Sequence, residues 1–455
     1  MIITKYKLIY KLKENENLLI NTLSGAVDIV DDVTRKAIEN NEILDDKETV
    51  DKLIKRKYIL KDEKEEEELF NSFKKYQNFI ECGVEGVRRS GFVICPTYNC
   101  NLRCTYCFQS HKMHRLDDVM TEEQVDKAFK MMENQILPYM NAEDFVIQLF
   151  GGEPLLLKTK NIVKYIFDKS KKNNTKITIT TNGTNIEEFM DIFTDNKDRV
   201  SFQITLDSIK EIHDKRRIQA NGQGTFDCIV KNIQLLLDND FEVRVRANTS
   251  VDTVQYIPKL VQLFEEYDWC SKEKFKCILA PVSEHNAMPT CSTTDEFEIF
   301  EEIYKLYPNI GSLKEKYKVN LGADMYRIVG HLNRILKPNI VPKKSLPSIV
   351  YCESALLKMF FFGPDGYIYP CAETIGQKEF AIASFEPEEK IFKEKIEQWK
   401  NRTIYEMDDC KKCNVATFCG GGCPYASLKF NGNARKPFCG NTKLTIKKYV
   451  ENIIE

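Results

Sequence analysis

The sequence lacks a long uncharged apolar run, a clear excess of charge of one sign and an apolar segment near its first residue. No run approaches the roughly 20 apolar residues of a membrane-spanning helix, and the opening Met-Ile-Ile-Thr-Lys-Tyr-Lys does not resemble a signal peptide. Lys and Arg total 66 and Asp and Glu total 68, so nothing favours a nucleic acid or an anionic membrane as partner. We therefore expect a cytoplasmic protein of two or three domains without membrane contact.

Sixteen cysteines without a secretion signal favour metal or redox sites over structural disulfides. Cys100, Cys104 and Cys107 form a CX3CX2C pattern with Tyr106 before the last cysteine, and no further cysteine follows until Cys228. Three thiolates so close in sequence can bind three irons of a four-iron cluster, which leaves the fourth iron without a protein ligand. A zinc site is the alternative, but zinc normally takes four ligands in paired spacings.

The middle of the chain alternates between short apolar segments and longer segments with helical periodicity. Thr121 and Gln124 form a capping box at the start of the first such helix. The repeated strand–helix units predict an α/β fold with a parallel sheet, either barrel-like or doubly wound. An active site in such a sheet lies at the carboxyl ends of the strands. The predicted strands occupy residues 91–95, 145–150, 176–180, 201–206, 242–248 and 275–280.

The first 60 or so residues are predicted to form a small separate unit. Three strands followed by two helices suit a winged-helix-like module. An acidic run then opens an amphipathic connector that continues to about residue 77. The predicted strands are 6–12, 18–21 and 26–30, and the predicted helices are 31–40 and 49–55.

The last hundred residues are rich in cysteine, glycine and loops, which predicts folding around metal rather than around a large apolar core. A zinc ribbon would explain Cys410 and Cys413 but not the other cysteines of this region. Outside the two cysteine patterns, Cys95 and Cys228 are expected to be small buried apolar residues. The C-terminal pattern comprises Cys352, Cys371, Cys410, Cys413, Cys419, Cys423 and Cys439.

The cysteine triplet and the motifs at the strand ends resemble the radical S-adenosylmethionine superfamily. The resemblance implies a partial (β/α)6 TIM-like barrel, with S-adenosylmethionine on the open iron of the cluster held by Cys100, Cys104 and Cys107. An electron from that cluster would cleave the cofactor to a 5′-deoxyadenosyl radical, which takes hydrogen from the substrate. Glu153 is expected to accept from the cofactor's ammonium group and Arg217 to pair with its carboxylate. The expected S-adenosylmethionine site comprises Tyr106, Gly151, Gly152, Glu153, Pro154, Asn182, Thr205 and Arg217.

The seven later cysteines resemble the SPASM extension of these enzymes, which carries two auxiliary four-iron clusters. By position, Cys410, Cys413, Cys419 and Cys439 would hold one cluster, here named the outer set. Cys352, Cys371 and Cys423 would hold the other, here named the inner set. Some relatives have an additional cysteine just before the inner set, but residues 342–351 contain none. The inner cluster is therefore expected to keep an open iron, or to recruit a distant cysteine or a substrate thiolate. The total would be three [4Fe-4S] clusters.

The resemblance also implies a division of the chain and a set of partners. The N-terminal unit looks like the leader-binding module of maturases for ribosomally made peptides, which captures a leader by strand addition. The expected partners are a precursor peptide and a reductant such as flavodoxin or ferredoxin. The expected division is a module and connector over 1–80, a radical core over 88–310, a bridge over 311–347 and a SPASM domain over 348–455.

These features favour a peptide maturase that forms thioether crosslinks of the sactipeptide or ranthipeptide type. Carbon–carbon crosslinking and epimerisation remain alternatives within the same group. Anaerobic sulfatase-maturing enzymes carry Asp directly after the cysteine that corresponds to Cys371, whereas this chain has Ala372. An iron–sulfur electron carrier is the non-enzyme alternative, but it leaves the Gly-Gly-Glu-Pro motif and the open iron unexplained.

Overall fold

A computed structural model describes residues 1–76, 89–109, 113–142, 144–282, 296–322, 328, 332 and 348–453. The strands in these ranges are β1 (Ile2–Ile3), β2 (Lys7–Lys13), β3 (Glu16–Asn21), β4 (Val27–Val30), β5 (Ile59–Leu60), β6 (Arg89–Ile94), β7 (Asp144–Leu149), β8 (Ile177–Thr181), β9 (Val200–Thr205), β10 (Glu242–Thr249), β11 (Phe275–Pro281), β12 (Val319–Leu321), β13 (Met359–Phe362), β14 (Tyr367–Tyr369), β15 (Ala383–Ser384) and β16 (Lys390–Ile391).

The α-helices in the described ranges connect these strands and cover the large sheet. They span Asp32–Glu39, Lys47–Lys55, Glu63–Ser72, Glu122–Met131, Leu137–Met140, Lys160–Ser170, Met190–Thr194, Lys210–Arg216, Phe226–Asp238, Ile257–Glu266, Glu296–Leu306, Ile310–Tyr317, Lys393–Trp399, Asp408–Lys411, Ala416–Cys419, Pro424–Asn431 and Thr442–Ile453. None of the helices in the part of the chain that the structure describes is long and apolar enough to cross a membrane.

The N-terminal module has the predicted strands and helices. β2, β3 and β4 form an antiparallel sheet in chain order, so β4 lies at one edge. Two helices follow, each capped by an aspartate: Asp31 accepts from the Thr34 amide, and Asp46 accepts from the Thr49 amide. These side-chain caps satisfy amides that a helix start leaves unpaired, which explains why both helices begin where they do.

The six strands predicted for the middle of the chain are confirmed as parallel neighbours in chain order. β6 to β11 run side by side in one sheet of eleven strands. The helix after β6 begins at the predicted capping box, since Thr121 Oγ1 accepts from the Gln124 amide at 3.1 Å and the Gln124 side chain accepts from the Thr121 amide at 3.0 Å. The carboxyl ends of the strands consequently share one edge of the sheet.

Alternation along the strands separates two faces of this sheet. In β10, Val243, Val245 and Ala247 are buried in the core beneath the helices, whereas Arg244 and Arg246 are half-buried on the other face. Residues two apart point to the same side of a strand. The face opposite the helices is therefore polar, as expected for a surface that lines a ligand cavity.

The rest of the chain adds strands to this sheet, and one expectation about it is wrong. Within the stretch expected to be a bridge, β12 adds a further parallel strand beside β11. In the cysteine-rich region, β13 pairs in parallel with β6, and β14 to β16 continue the same sheet. Phe360, Phe362 and Ile368 are fully buried in the core of the sheet, so this region has a substantial apolar core as well as its cysteine loops.

The cysteines outside the two patterns divide between core and surface. Cys95 is buried as expected, but Cys228 is exposed. Cys228 lies in the first turn of the helix Phe226–Asp238, where its thiol donates to the Thr184 carbonyl at 3.3 Å. The helix buries its other face in the core, which explains why a thiol at this position faces outward.

Candidate active site

The first three cysteines lie in the loop after β6 and come together in space. Cys100 and Cys104 are buried and Cys107 is partly buried, and the thiols of Cys104 and Cys107 act electrostatically on that of Cys100. Burial raises the pKa of the Cys100 thiol to about 12 and that of Cys107 to about 11. Metal binding requires thiolates and so would displace these protons. Three converging cysteines form a donor set that suits an iron–sulfur cluster.

The two glycines of the Gly-Gly-Glu-Pro motif, Gly151 and Gly152, pack directly against this cysteine loop. A Cβ atom on Gly152 would lie 2.2 Å from the carbonyl oxygen of Asn99 and 2.3 Å from that of Tyr98. Gly151 has φ +138°, and the Gly152 amide donates to the Thr97 carbonyl at 3.2 Å. These glycines permit a close approach to the cysteine loop that a side chain would block, and their expected role in binding the cofactor stays a prediction.

The other side of the cysteine loop pairs with the segment that carries Arg217. The Arg103 amide donates to the Ile218 carbonyl at 2.8 Å, and the Thr105 amide donates to the Arg216 carbonyl at 2.9 Å. The loop is therefore clamped between the end of β7 and the segment after β9. Both clamps connect residues far apart in sequence, so neither could be inferred from local patterns.

Glu153 and Asn182 bind other parts of the protein. The Glu153 carboxylate accepts from Thr181 Oγ1 at 2.6 Å and from the amides of Asn182 and Leu155 at 2.7 and 2.9 Å. Asn182 donates through Nδ2 to Asn101 Oδ1 at 2.8 Å. Burial raises the pKa of the Glu153 carboxyl. This carboxylate ties the ends of β7 and β8 together, and its expected hydrogen bond to the cofactor's ammonium group stays a prediction.

Tyr106 is the centre of a buried polar network. Its hydroxyl donates to Asp207 Oδ2 and accepts from Arg217 at 2.9 Å and from Asn248 Nδ2 at 3.1 Å. The guanidinium carbon of Arg216 lies 4.8 Å from the ring centroid. Two strand ends, those of β9 and β10, and the end of the helix Lys210–Arg216 thus converge on one tyrosine. Asp207 and Asn248 were not assigned individually from the sequence, although each follows or ends a predicted strand as Thr205 does.

Arg217 has the properties expected of an anion-binding residue. Its side chain is buried, and its Nε atom has no hydrogen-bond partner in the structure. It lies close enough to Tyr106 and Cys104 to interact with both electrostatically. A buried N–H without an acceptor is costly, and a carboxylate would satisfy it. The residues therefore fit the carboxylate of S-adenosylmethionine beside a cluster.

The C-terminal cysteines also gather as the sequence grouped them. The thiol of Cys371 lies near those of Cys423 and Cys352. The thiol of Cys410 lies near those of Cys419, Cys413 and Cys439. Their role as iron ligands stays a prediction. The inner and outer sets are nevertheless two distinct clusters of thiols in space, as two auxiliary clusters require.

Three consecutive glycines make the outer set possible. Gly420, Gly421 and Gly422 all have positive φ values, and a Cβ atom on Gly422 would lie 1.8 Å from the Phe438 carbonyl oxygen. The chain therefore reverses between Cys419 and Cys423. Its backbone lies directly against the backbone segment that leads to Cys439. Side chains at these positions would prevent this approach.

A cavity of about 590 Å³ connects the first cysteine triplet with the inner set. Its lining includes Cys104 and Cys107 of the first triplet, all three cysteines of the inner set and Cys419 of the outer set. Polar side chains of the strands form the floor: Gln148, Thr180, Gln203, Thr205, Arg246 and Asn248. Of the expected cofactor residues, Tyr106, Thr205 and Arg217 contribute to the lining, whereas Gly151, Gly152, Glu153, Pro154 and Asn182 do not.

Further residues of the cavity were not assigned from the sequence. Phe108 and Phe150 stack with their ring centroids 6.1 Å apart and both line the cavity. Glu373 also lines it, with Oε2 buried and without a hydrogen-bond partner. Burial raises the pKa of the Glu373 carboxyl to about 7. Closeness to Cys371 in the chain did not by itself indicate a position in the site, and only the fold places Glu373 near Cys107.

The cysteine geometry differs from that of a mononuclear site. Among the described residues, no group of three or more His, Cys, Asp or Glu side chains could hold a single metal ion. Zinc would require its ligand sulfurs about 2.3 Å from one centre, whereas each thiolate of a four-iron cluster binds a different iron.

Comparison with known proteins identifies the class to which this site belongs. Residues 94–256 match the family model of the radical SAM superfamily. The AdoMet-bound structure of anSMEcpe superposes with a TM-score of 0.59 at 20% identity, covering 80% of this chain and 97% of that one. SuiB of Streptococcus suis, bound to the precursor peptide SuiA, superposes with a TM-score of 0.53 at 16% identity, covering 96% and 99%. The chain therefore carries a radical SAM domain with the fold of these enzymes.

Sequence relatives narrow the class. A cysteine-type anaerobic sulfatase-maturating enzyme of Clostridium novyi is 28% identical over 78% of this chain and 93% of its own length. The subtilosin biosynthesis protein AlbA of Bacillus subtilis is 23% identical over 79% of this chain and 72% of its own length. The chain thus carries a radical SAM domain over residues 94–256 and, over most of its length, is similar in sequence to these maturation and biosynthesis proteins.

Proposed function

We propose that this enzyme forms thioether crosslinks in a ribosomally made precursor peptide. The observation that carries the proposal is that one cavity is lined both by cysteines of the radical site and by the inner cysteine set. A peptide in that cavity would present a carbon to the radical and a cysteine sulfur to the inner set at the same time. This arrangement supports carbon–sulfur bond formation because both reacting atoms are held close together.

Each proposed cofactor has a set of residues that would bind it. Cys100, Cys104 and Cys107 would hold the radical cluster, and Arg217 would bind the carboxylate of S-adenosylmethionine. The inner and outer sets would hold the two auxiliary clusters, to give three [4Fe-4S] clusters in all. When bound, S-adenosylmethionine supplies a 5′-deoxyadenosyl radical that abstracts hydrogen; the polar strand ends around Tyr106 orient it.

The atoms and electrons of the reaction balance within this site. The peptide would lose one hydrogen atom from carbon and one proton from the cysteine thiol, and the carbon–sulfur bond would replace both. One electron remains. It would pass to an auxiliary cluster and then to an electron carrier such as flavodoxin or ferredoxin. The product is therefore two hydrogens lighter for each crosslink.

The N-terminal module would bind the leader of the precursor. β4 pairs only with β3 in the described structure, and Ile29 on it is 55% exposed. An extended peptide could add to such an edge. The superposition with SuiB, which binds a precursor peptide, extends over 96% of this chain and so includes most of residues 1–60. The module also packs on the outer-set loop, where Thr417 Oγ1 donates to the Thr22 carbonyl at 2.8 Å.

Sulfatase maturation is the second candidate, and the relatives from Clostridium favour it. The presence of Ala372 instead of an aspartate after Cys371, and the N-terminal module, count against it. The two candidates differ in their substrate: a sulfatase peptide with a cysteine at its maturation site should stay unmodified if the primary proposal holds.

Anaerobic reconstitution followed by mass spectrometry tests the proposal. The enzyme is combined with dithionite, S-adenosylmethionine and the peptide encoded by the neighbouring small reading frame. We expect 5′-deoxyadenosine and a peptide two hydrogens lighter per crosslink whose cysteines resist alkylation. The same mass loss with fully alkylatable cysteines would indicate carbon–carbon crosslinking, an unchanged mass would indicate epimerisation, and absence of 5′-deoxyadenosine would indicate an electron carrier.

Matched cysteine variants test the role of the inner set. Cys371→Ala should abolish crosslinking and lower the iron content, whereas Cys228→Ala, an exposed cysteine outside all three sets, should change neither. Spectroscopy of the substrate-free enzyme should show an inner cluster with fewer than four protein thiolates. Four protein thiolates on that cluster would contradict the proposed binding of a peptide thiolate there.

A further inference from the structure

Arg402 is a completely buried cation in the cysteine-rich region. Its side chain is 0% exposed, and its guanidinium donates to four backbone carbonyls. Three of these bonds measure 2.7 Å to Gly422, 2.9 Å to Gly421 and 2.8 Å to Lys436, and the fourth goes to Ala434. The carbonyls belong to the two loops that lead into Cys423 and Cys439.

No carboxylate among the described residues forms an ion pair with Arg402. Its electrostatic partners are instead the thiols of four cysteines, two from the inner set and two from the outer set: Cys352, Cys423, Cys410 and Cys419. A buried charge without a counter-charge is strongly destabilising. Carbonyl dipoles compensate only part of that cost. Negative charge on the neighbouring cysteines would compensate the rest.

We propose that Arg402 is a positioning residue that serves as the shared counter-charge of the inner and outer auxiliary clusters and raises the reduction potential of both. The inference rests on the proposed function, because it requires that both sets hold clusters. A cluster with thiolate ligands is anionic and gains one more negative charge on reduction. A fixed guanidinium between two such clusters stabilises their reduced forms, since net charge and the groups around the sulfurs set the potential.

This role has a direct consequence for the reaction. An electron released when the crosslink forms needs an acceptor of sufficiently high potential close to the cavity, and the inner set lines the cavity. The guanidinium makes the inner cluster a better acceptor and the outer cluster a better relay. Because Arg402 touches both loops, its charge acts on both clusters without contacting the substrate.

Redox titration monitored by electron paramagnetic resonance tests the proposal. The full-length protein carries Cys100→Ala, Cys104→Ala and Cys107→Ala, so that only the auxiliary clusters contribute to the spectra. We expect Arg402→Gln to lower the reduced-to-oxidised ratio of each auxiliary cluster about tenfold at a given potential, which is about 59 mV for one electron. Arg402→Lys, which keeps the charge, should retain potentials close to those of the parent protein.

Arg435→Gln is the matched control. Arg435 also donates to two backbone carbonyls in this region, of Glu397 at 2.8 Å and Lys400 at 3.1 Å, but it is only half-buried, whereas Arg402 is fully buried. Its replacement should leave both potentials unchanged.

The remaining outcomes are decisive as well. Loaded clusters with unshifted potentials in Arg402→Gln would overturn the proposal. Arg402→Gln could fail to load its clusters. In that case, clusters with parent-like potentials in Arg402→Lys would support the role of the positive charge. Failure of both variants to load clusters would show a purely structural role for Arg402 and overturn the proposal. Absence of auxiliary clusters from the parent protein would instead contradict the proposed function on which the inference rests.

Discussion

At the scale of single residues, the site depends on buried polar groups that satisfy one another. Tyr106 joins Asp207, Arg217 and Asn248, and no local sequence pattern connects these four positions. The network holds the arginine beside the cysteine loop with its Nε atom available. A single hydroxyl thus organises the polar end of the barrel next to the radical site.

Tyr106→Phe should destabilise the folded protein by about 1–3 kcal/mol, because buried partners lose a hydrogen bond to a charged group. Thermal unfolding of the reconstituted enzyme measures the change. Tyr139→Phe is the control: its hydroxyl donates to Glu397 at the surface, so its loss should change stability by no more than about 0.5 kcal/mol. Equal effects of the two variants would argue against the network.

His213 should make stability depend on pH. Burial, with the neighbouring charges of Arg217 and Arg216, lowers the pKa of this imidazole to about 3, from about 6.5 in the unfolded chain. Below pH 6.5 the unfolded state takes up a proton that the folded state does not, so stability falls as the pH falls from about 6.5 toward 3.

The variant His213→Asn isolates this effect. Denaturant unfolding of both proteins should show the advantage of the parent protein shrinking by up to about 1.4 kcal/mol for each pH unit below 6.5. Asparagine can still accept from the Asp207 amide that His213 Nδ1 accepts from. Parallel pH profiles for the two proteins would exclude the assignment.

At the scale of elements, the cysteine loop is held by backbone contacts rather than by its own sequence. The glycines of the Gly-Gly-Glu-Pro motif make room for the cysteine loop, and its glutamate ties two strand ends together. Periodicity and spacing predict the strands and the positions of their ends. They do not reveal which neighbouring backbone will fill the space where a Cβ is missing.

Gly152→Ala should displace the loop, because the new Cβ would meet two backbone carbonyl oxygens at 2.2 and 2.3 Å. We expect loss of the radical cluster with retention of the auxiliary clusters, measured as a lower iron content and loss of the spectral change on adding S-adenosylmethionine. Gly311→Ala, whose new Cβ would meet only the Asn309 side chain at 3.1 Å, should keep all iron. A fully loaded Gly152→Ala protein would contradict this account of the motif.

At the scale of the whole molecule, three regions meet around the cysteines. The parallel sheet continues from the barrel strands into the cysteine-rich region through the β6–β13 pair. The N-terminal module packs against the outer-set loop through Tyr6, Thr22 and Asn414. A peptide bound at the module would therefore lie on a unit that contacts the cysteine-rich region directly.

Ile29→Lys should weaken precursor binding at least about tenfold, or about 1.4 kcal/mol, because charge on an edge strand opposes strand addition. Fluorescence anisotropy with labelled precursor measures the affinity, and formation of 5′-deoxyadenosine without peptide should stay unchanged. Leu157→Lys, at an exposed leucine of the radical core, is the control and should bind normally. Unchanged affinity in Ile29→Lys would place the leader elsewhere.

The sequence by itself determined the strands of the sheet, the edge at which they end and the three groups of cysteines, because these follow from short-range spacing and from alternation along a strand. Only the tertiary structure decided that the first triplet and the inner set line one cavity, that Glu373 lies near both of them and that Arg402 lies near both the inner and the outer set. These contacts join positions up to hundreds of residues apart. They depend on the pairing of β6 with β13 and on the loop reversal at Gly420–Gly422. Neither can be inferred from the spacing of residues along the chain.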